Sequence, residues 1–533
     1  MRPSVARASV AGDLYTGFGP RSLATVTIAS ADYPAAPPLP ARQLRLMLLA
    51  VAVVAFLARL TPVLLGGGLR GLSGGYDDGV YYAAADSLTF GRLPYQDFVL
   101  LHPPGITLVL FPFALLGRLT ADPIGMSVGR VAFMAVGALN AVLVARLAAR
   151  WGLAAGVLAG AVYACSFPAI YNERTTLLEP LGGTALLVAL LLLLRRDGPV
   201  TPRTEVLAGV ALGLGPCLKI WYVVPWGVIV LWLLLMRRYG GAARTVLGGA
   251  AAVAVIWLPF LVLTGKSMIN MVILDQLSRT QTATPWGPRI QSILGVSVVP
   301  HRYPVLLVLA GTAVALFLLF GAVLCWRQRG ARVVVGLLVT HVLLLLEIPV
   351  YFQHYAVLSA APAALTAGIG VGPLLAARQG VRPRWATGLA AVVVLAILVS
   401  GVRAALLPKG QRFPGAQLAV ATPAAGCVVA DDDSALIAMD RLSRDLRRGC
   451  RVEVDVTGIT YDRLARYRPD GKPISRRGNK DWQQYLLSYL ASGSSSIVVR
   501  ASNDSLAAAT KRSIAARPVL AHVGRFVLHG QPR

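Results

Sequence analysis

Charge is what this chain has least of. Only 14% of its 533 residues are Asp, Glu, Lys or Arg, while 56% are hydrophobic. Soluble globular chains carry about 25% charged residues, so this composition excludes a soluble globular protein and points to a polytopic membrane protein. Acid is scarcer still: 24 Asp and Glu stand against 51 Lys and Arg. The resulting net charge of +27 comes without an RNP, zinc-finger or helix-turn-helix signature, and much of it borders apolar segments, so it reports membrane orientation and excludes a nucleic-acid partner. The middles of the apolar segments are almost free of ionisable residues, which argues against a transporter or lipid flippase, whose helices carry such residues near the midplane. An ordinary signal peptide is also missing. Residues 1–41 are polar and aperiodic and read as a disordered cytoplasmic arm, and the first apolar run follows too late to be cleaved, so it reads as a retained anchor.

Long apolar runs are abundant. A spanning helix needs about 20 apolar residues, and eleven segments qualify: 46–66, 127–149, 153–171, 179–196, 205–222, 223–236, 244–264, 304–326, 331–350, 354–377 and 385–407. The segment 105–118, GITLVLFPFALLGR, is apolar but short and carries Pro112. Counted as a span, it would put Arg195/Arg196, Arg237/Arg238 and Arg327/Arg329 outside, against the positive-inside tendency. Laid at the outer interface, it brings those clusters inside with Arg42/Arg45, Arg146/Arg150 and Arg378/Arg382/Arg384. The expected topology is a multi-pass plasma (inner) membrane protein with a cytoplasmic N-terminus. External segments fall at 67–126, 172–178, 265–303 and 408–533. Asp77, Asp78, Asp86, Asp97, Asp122, Glu173, Glu179 and Asp275 then all lie at the outer face, and Asp197 and Glu205 inside.

Hydropathy falls after residue 407. CVVADDD, SALIAMDRLSRDLRRG and CRVEVDVTG read as strand, amphipathic helix and strand, and WQQYLLSYLASG, SSIVVR, SLAAATKRSIAARP and VLAHVGRFVLHG continue the alternation. The expectation is a small extracytoplasmic α/β domain over 408–533, behind a membrane domain over 42–407. Of the five cysteines, Cys427 and Cys450 fall in it, and in an oxidising compartment they are expected to pair. A loop of that length contributes about 3 kcal/mol. Asp431 to Asp433 read as a turn and helix cap.

Four aspartates crowd into residues 74–105, GGYDDGVYYAAADSLTFGRLPYQDFVLLHPPG. The order of a first membrane helix, YDDGVYYAAADSLTFGRLPYQDF, HPPG, a further helix pair and NERTTLLEP resembles the GT-C superfamily of membrane glycosyltransferases, in the branch of protein O-mannosyltransferases and lipid A aminoarabinose transferases. The resemblance covers about residues 45–225, with QHYAVLSAAP as a later echo. It implies a GT-C-like fold and transfer of sugar from a polyprenyl phosphate on the outer side. The first acid of the family's opening pair, Asp77 here, would be the base; Asp78 stands where relatives commonly have Glu. Glu179 in LLEP matches a further family acid, Lys219 matches a lysine that meets the lipid phosphate, and His354 with Tyr355 matches a late motif. His102 stands before the proline where some relatives have Glu, which leaves the cofactor unknown, with a divalent cation on Asp97 and His102 as one reading.

The residue chemistry points the same way. Transfer to a hydroxyl needs a group that accepts its proton, and a partly desolvated carboxylate such as Asp77 or Asp78 suits that role. One carboxylate base with direct departure of the phosphate gives inversion. The leaving phosphate needs fixed cations, for which Lys219, Arg174, His301, Arg302 and His354 are available near the outer face. Asp86 and Asp97 are assigned to loop shape. The acceptor is left open among glycolipid, polysaccharide and protein. The rivals are a transporter, a non-catalytic envelope assembly protein and a polymer ligase.

Overall fold

The computed structural model describes residues 39–73, 75–194, 200–279, 284–376, 384–500 and 505–532. Most of the expected N-terminal arm lies outside those residues, as do Arg195, Arg196, Asp197, Arg378 and Arg382.

Every expected apolar segment is helical where it is described. Among the described residues, six helices are long and apolar enough to cross a membrane: Ala41–Leu65, Asp122–Trp151, Tyr239–Thr264, Pro304–Arg327, Arg329–Glu347 and Gln353–Leu375. Five shorter apolar helices accompany them, Gly105–Leu119 and Glu179–Leu193 included. The chain is therefore a multi-pass membrane protein. The 153–171 segment breaks into Leu153–Cys165 and Phe167–Asn172, because extended Ser166 precedes a helix with proline in its first turn.

Helix Ala41–Leu65 shows the logic of a lipid-facing element. Met47, Val51, Ala55 and Arg59 recur every fourth residue and are buried, while Leu46, Leu49, Val53 and Leu57 are exposed and suited to lipid. Helices Pro202–Leu218 and Tyr239–Thr264 pack closely through small residues: a Cβ on Gly213 would lie 2.3 Å from the Gly249 carbonyl oxygen.

Asp86, expected to shape a loop, instead lies fully buried within helix Tyr76–Thr89, and Glu173 and Asp122 are buried too. Glu173 is fully buried and receives Arg59 Nε at 2.8 Å, Tyr163 Oη at 2.7 Å and Asn140 Nδ2 at 2.8 Å. Asp122 is buried at the start of its helix and accepts from Ser443. Each side chain folds inward because a long-range partner waits there, which local sequence does not reveal.

After residue 415 short helices surround a four-stranded mixed sheet of β1 (Val428–Ala430), β2 (Ser495–Ile497), β3 (Val519–Val523) and β4 (Phe526–Gly530), in the order β1-β2-β4-β3. β1 and β2 are parallel; β4 runs antiparallel to both its neighbours. The expected strand over CRVEVDVTG is absent, and that stretch is irregular and turned. The expected single helix before it, SALIAMDRLSRDLRRG, is two short ones, Asp433–Ala438 and Leu442–Arg447, separated by Asp440 at φ 55. Asp432 caps the first through Ser434 N at 3.0 Å, and Asp431 instead receives the Val499 and Arg500 amides. Cys427 and Cys450 are joined as a disulfide.

One buried hydrophobic cluster joins the two ends of the sequence. Val80, Tyr81, Leu100, Ile106 and Leu110 pack in the same core as Val428, Leu436, Val452, Val454 and Leu528. The loop that follows the first membrane helix and the C-terminal sheet thus form one body above the helical bundle.

Candidate active site

The acid pair opens helix Tyr76–Thr89, entered through Gly75 at φ 83, a conformation that suits glycine. Neighbours on a helix point about 100° apart, and that angle separates the two carboxylates. Asp78 is fully buried and satisfied: Arg130 grips one oxygen through Nε at 3.0 Å and through Nη2, while the Thr176 amide at 3.0 Å and the Thr176 hydroxyl hold the other. Asp77 keeps 39% of its side chain accessible and lies 3.9 Å from His354 Nε2. Burial of its surroundings pushes its carboxyl above the usual range, opposed first by His354 and reinforced by Asp455.

Glu179 starts helix Glu179–Leu193 and faces Lys219, which occupies the extended break between helix Pro202–Leu218 and the turn Ile220–Tyr222. Lys219 Nζ is 2.5 Å from Glu179 Oε1, and both residues are 4% exposed. Asn172 Nδ2 donates to the other Glu179 oxygen at 2.9 Å and to the His354 carbonyl at 3.1 Å. The Lys219 ammonium is also boxed by the rings of Tyr355 at 3.6 Å and Trp221 at 4.3 Å. Tyr355 in turn meets His354 edge-on at 4.5 Å. Asp77, His354, Tyr355, Lys219 and Glu179, from four separate stretches of chain, therefore make one cluster.

Other expected residues stand apart from it or play different parts. Arg174 is buried, donates to the Tyr171 carbonyl and lies 4.3 Å from the Tyr171 ring. Arg302 is exposed and lies over its neighbour Tyr303, and His301 is exposed. Asp97 ties its own turn by accepting the Leu93 amide at 2.6 Å. His102 meets Tyr81 edge-on at 5.5 Å, and burial holds its imidazole well below the usual range, with Arg279 and Lys219 adding to the effect. Among the described residues no three His, Cys, Asp or Glu side chains could hold a metal ion together.

Three residues beyond the expected set border the cluster. Arg279 follows helix Asp275–Ser278, lies 4.5 Å from the Tyr461 ring, and is one of the cations that favour ionised Asp77. Asp455 binds Tyr76 Oη at 3.0 Å. Nothing in the local sequence near 279, 455 or 461 marks them. Their roles arise only because the C-terminal segment folds back over the start of helix Tyr76–Thr89.

This fold has known counterparts. Residues 100–349 match the model of glycosyltransferase family 87, a stretch that takes in Glu179 and Lys219. ArnT from Cupriavidus metallidurans, solved bound to undecaprenyl phosphate, superposes with a TM-score of 0.60 at 17% identity, over 92% of this chain and 98% of that one. The chain thus has the fold of that protein, and its central stretch is similar to glycosyltransferase family 87. The Archaeoglobus fulgidus oligosaccharyltransferase tethered to an acceptor peptide with the NVT sequon matches this chain with a TM-score of 0.51 at 12% identity, over 85% of this chain and 68% of that one. The same archaeal enzyme, AglB, in complex with an inhibitory peptide and a dolichol-phosphate matches with a TM-score of 0.51 at 13% identity, over 85% and 69%. Among curated proteins no sequence matches this chain.

Proposed function

We propose that this chain is a glycosyltransferase that moves a sugar from a polyprenyl-phosphate donor to an acceptor hydroxyl, with inversion, at the outer face of the plasma membrane. Asp77 takes the hydroxyl proton as the new C–O bond forms, and the electron pair of the breaking C1–O bond leaves with the polyprenyl phosphate. The observation that carries this reading is the split between the paired acids: Asp78 is spent on Arg130 and Thr176, while Asp77 is accessible beside His354. Lys219 holds the leaving phosphate. An ammonium has three donor directions, one of which goes to Glu179, and the aromatic box fixes its position. Arg279 stands near enough to share the developing charge, and Glu179 orients Lys219. The ArnT structure bound to undecaprenyl phosphate and the AglB structure with dolichol-phosphate support a lipid donor. The segment boundaries proposed with this reading are an arm over 1–41, a membrane catalytic part over 42–407 and an external part over 408–533. The acceptor is a glycolipid, polysaccharide or protein.

The test is a donor panel. Purified protein is incubated with radiolabelled undecaprenyl-phosphate-linked mannose, galactose, arabinofuranose and aminoarabinose, and release of polyprenyl phosphate is measured. One donor is expected to be consumed by wild type and not by Asp77→Asn. Turnover by Asp77→Asn equal to wild type would overturn the assignment of the base.

A further inference from the structure

We propose that Asp455, from the C-terminal segment, is a positioning residue for Asp77: it anchors the residue before the base and sets a second negative charge beside it. This rests on the reading of Asp77 as base.

The anchor is built from both sides. Tyr76 Oη donates to Asp455 Oδ1 at 3.0 Å and accepts the Thr457 amide at 3.0 Å, while the Arg500 guanidinium lies over its ring at 4.8 Å. Tyr76 is the first helical residue after Gly75, so the clamp fixes the direction in which the helix, and Asp77 with it, sets out. Asp455 Oδ1 also accepts the Gly458 amide at 2.7 Å and the Thr457 hydroxyl at 3.2 Å, so with Tyr76 three donors favour the anion and oppose burial, which pushes the Asp455 carboxyl above its usual range. Gly458 makes room for that carboxylate: a Cβ there would sit 2.1 Å from Asp455 Oδ2.

The charge has a direction of effect. The groups that bear on Asp77 are His354, Arg279 and Lys219, which favour its ionised form, and Asp455, which favours the protonated one. Asp433 bears on Tyr76, and Glu179 is matched by Lys219. A carboxylate next to a carboxylate raises the proton affinity of its neighbour and so strengthens it as a base. Without Asp455, the cations Arg279 and Lys219, with His354 beside them, would leave Asp77 a weaker one.

The experiment compares pH profiles of kcat/KM for wild type, Asp455→Asn and Asp455→Glu, using the member of the donor panel that wild type consumes. Asn keeps an oxygen acceptor for Tyr76 and loses the charge. The acidic limb of its profile is expected about half a unit to one unit lower, with a plateau roughly 3- to 10-fold lower. Glu keeps the charge and is expected to keep the limb within about 0.2 units of wild type. If Asp455→Asn does not accumulate folded, Asp455→Ser, smaller and neutral, carries the same expectation. A folded neutral variant with its limb at the wild-type pH overturns the proposal. Asp77→Asn, assayed in parallel, separates the two readings: if it is inactive while the limb does not move, only the role of Asp455 fails; if it is active, the base assignment fails.

Discussion

At the scale of single residues, adjacent aspartates have opposite environments, and their substitutions should fail in opposite ways. Asp77→Asn is expected to be folded and inactive. Asp78→Asn leaves Arg130 buried without its counter-ion, and breaking such a pair costs about 3–5 kcal/mol. It should therefore show as lost protein in detergent-solubilised thermal unfolding, with any surviving fraction active. A well-folded, inactive Asp78→Asn would reverse the two roles. Lys219→Gln removes the cation from the aromatic box and is expected to raise KM for the lipid donor by roughly 10- to 100-fold, in line with about 1.5–3 kcal/mol for a charge-assisted hydrogen bond. An unchanged KM would remove Lys219 from the donor site. The sequence made the pair visible, because acids are so few that a cluster draws the eye. It could not separate the two members, since Arg130 and Thr176 lie 52 and 98 residues away from Asp78.

At the scale of elements, apolar length and turn residues marked where helices run, and the short helix Gly105–Leu119 is where the apolar run 105–118 predicts it. The segment CRVEVDVTG shows where such reading fails. Val452, Val454 and Val456 are all buried, as its alternation requires, yet the segment joins no sheet and β1 stays at the edge of the order β1-β2-β4-β3. Alternation reports which side chains are buried, and strand pairing depends on a free edge that local sequence does not describe. The Cys427–Cys450 link ties the start of β1 to the end of helix Leu442–Arg447, close to that segment. Cys450→Ser should lower stability by about 3 kcal/mol, read as a lower unfolding midpoint and as faster proteolysis after residue 427. An unchanged midpoint would mean that the bond adds no constraint to the folded chain.

At the scale of the whole molecule, distant segments meet through buried acids. The Ser443 hydroxyl lies 2.8 Å from Asp86 Oδ2 and 2.6 Å from Asp122 Oδ1, so its one proton cannot serve both carboxylates, and one of the two acids must carry a proton of its own. Burial, with Asp122 nearby, raises the Asp86 carboxyl to about 7. A raised carboxyl means that the folded protein holds a proton that the unfolded chain releases. That stabilisation is complete below the ordinary carboxyl range and is lost as pH rises towards 7. The unfolding midpoint of wild type is expected to fall relative to Asp86→Asn between about pH 4 and pH 7; parallel midpoints across that window would exclude the shared proton. The same architecture bears on biosynthesis. Tyr76 and Asp455 are 379 positions apart, so the contact that orients the proposed base can close only after Asp455 has left the ribosome. A chain cut short of Asp455 can insert its first helices, but it has nothing to aim the Asp77 carboxylate with, and so such truncated products should be inert towards lipid-linked sugars.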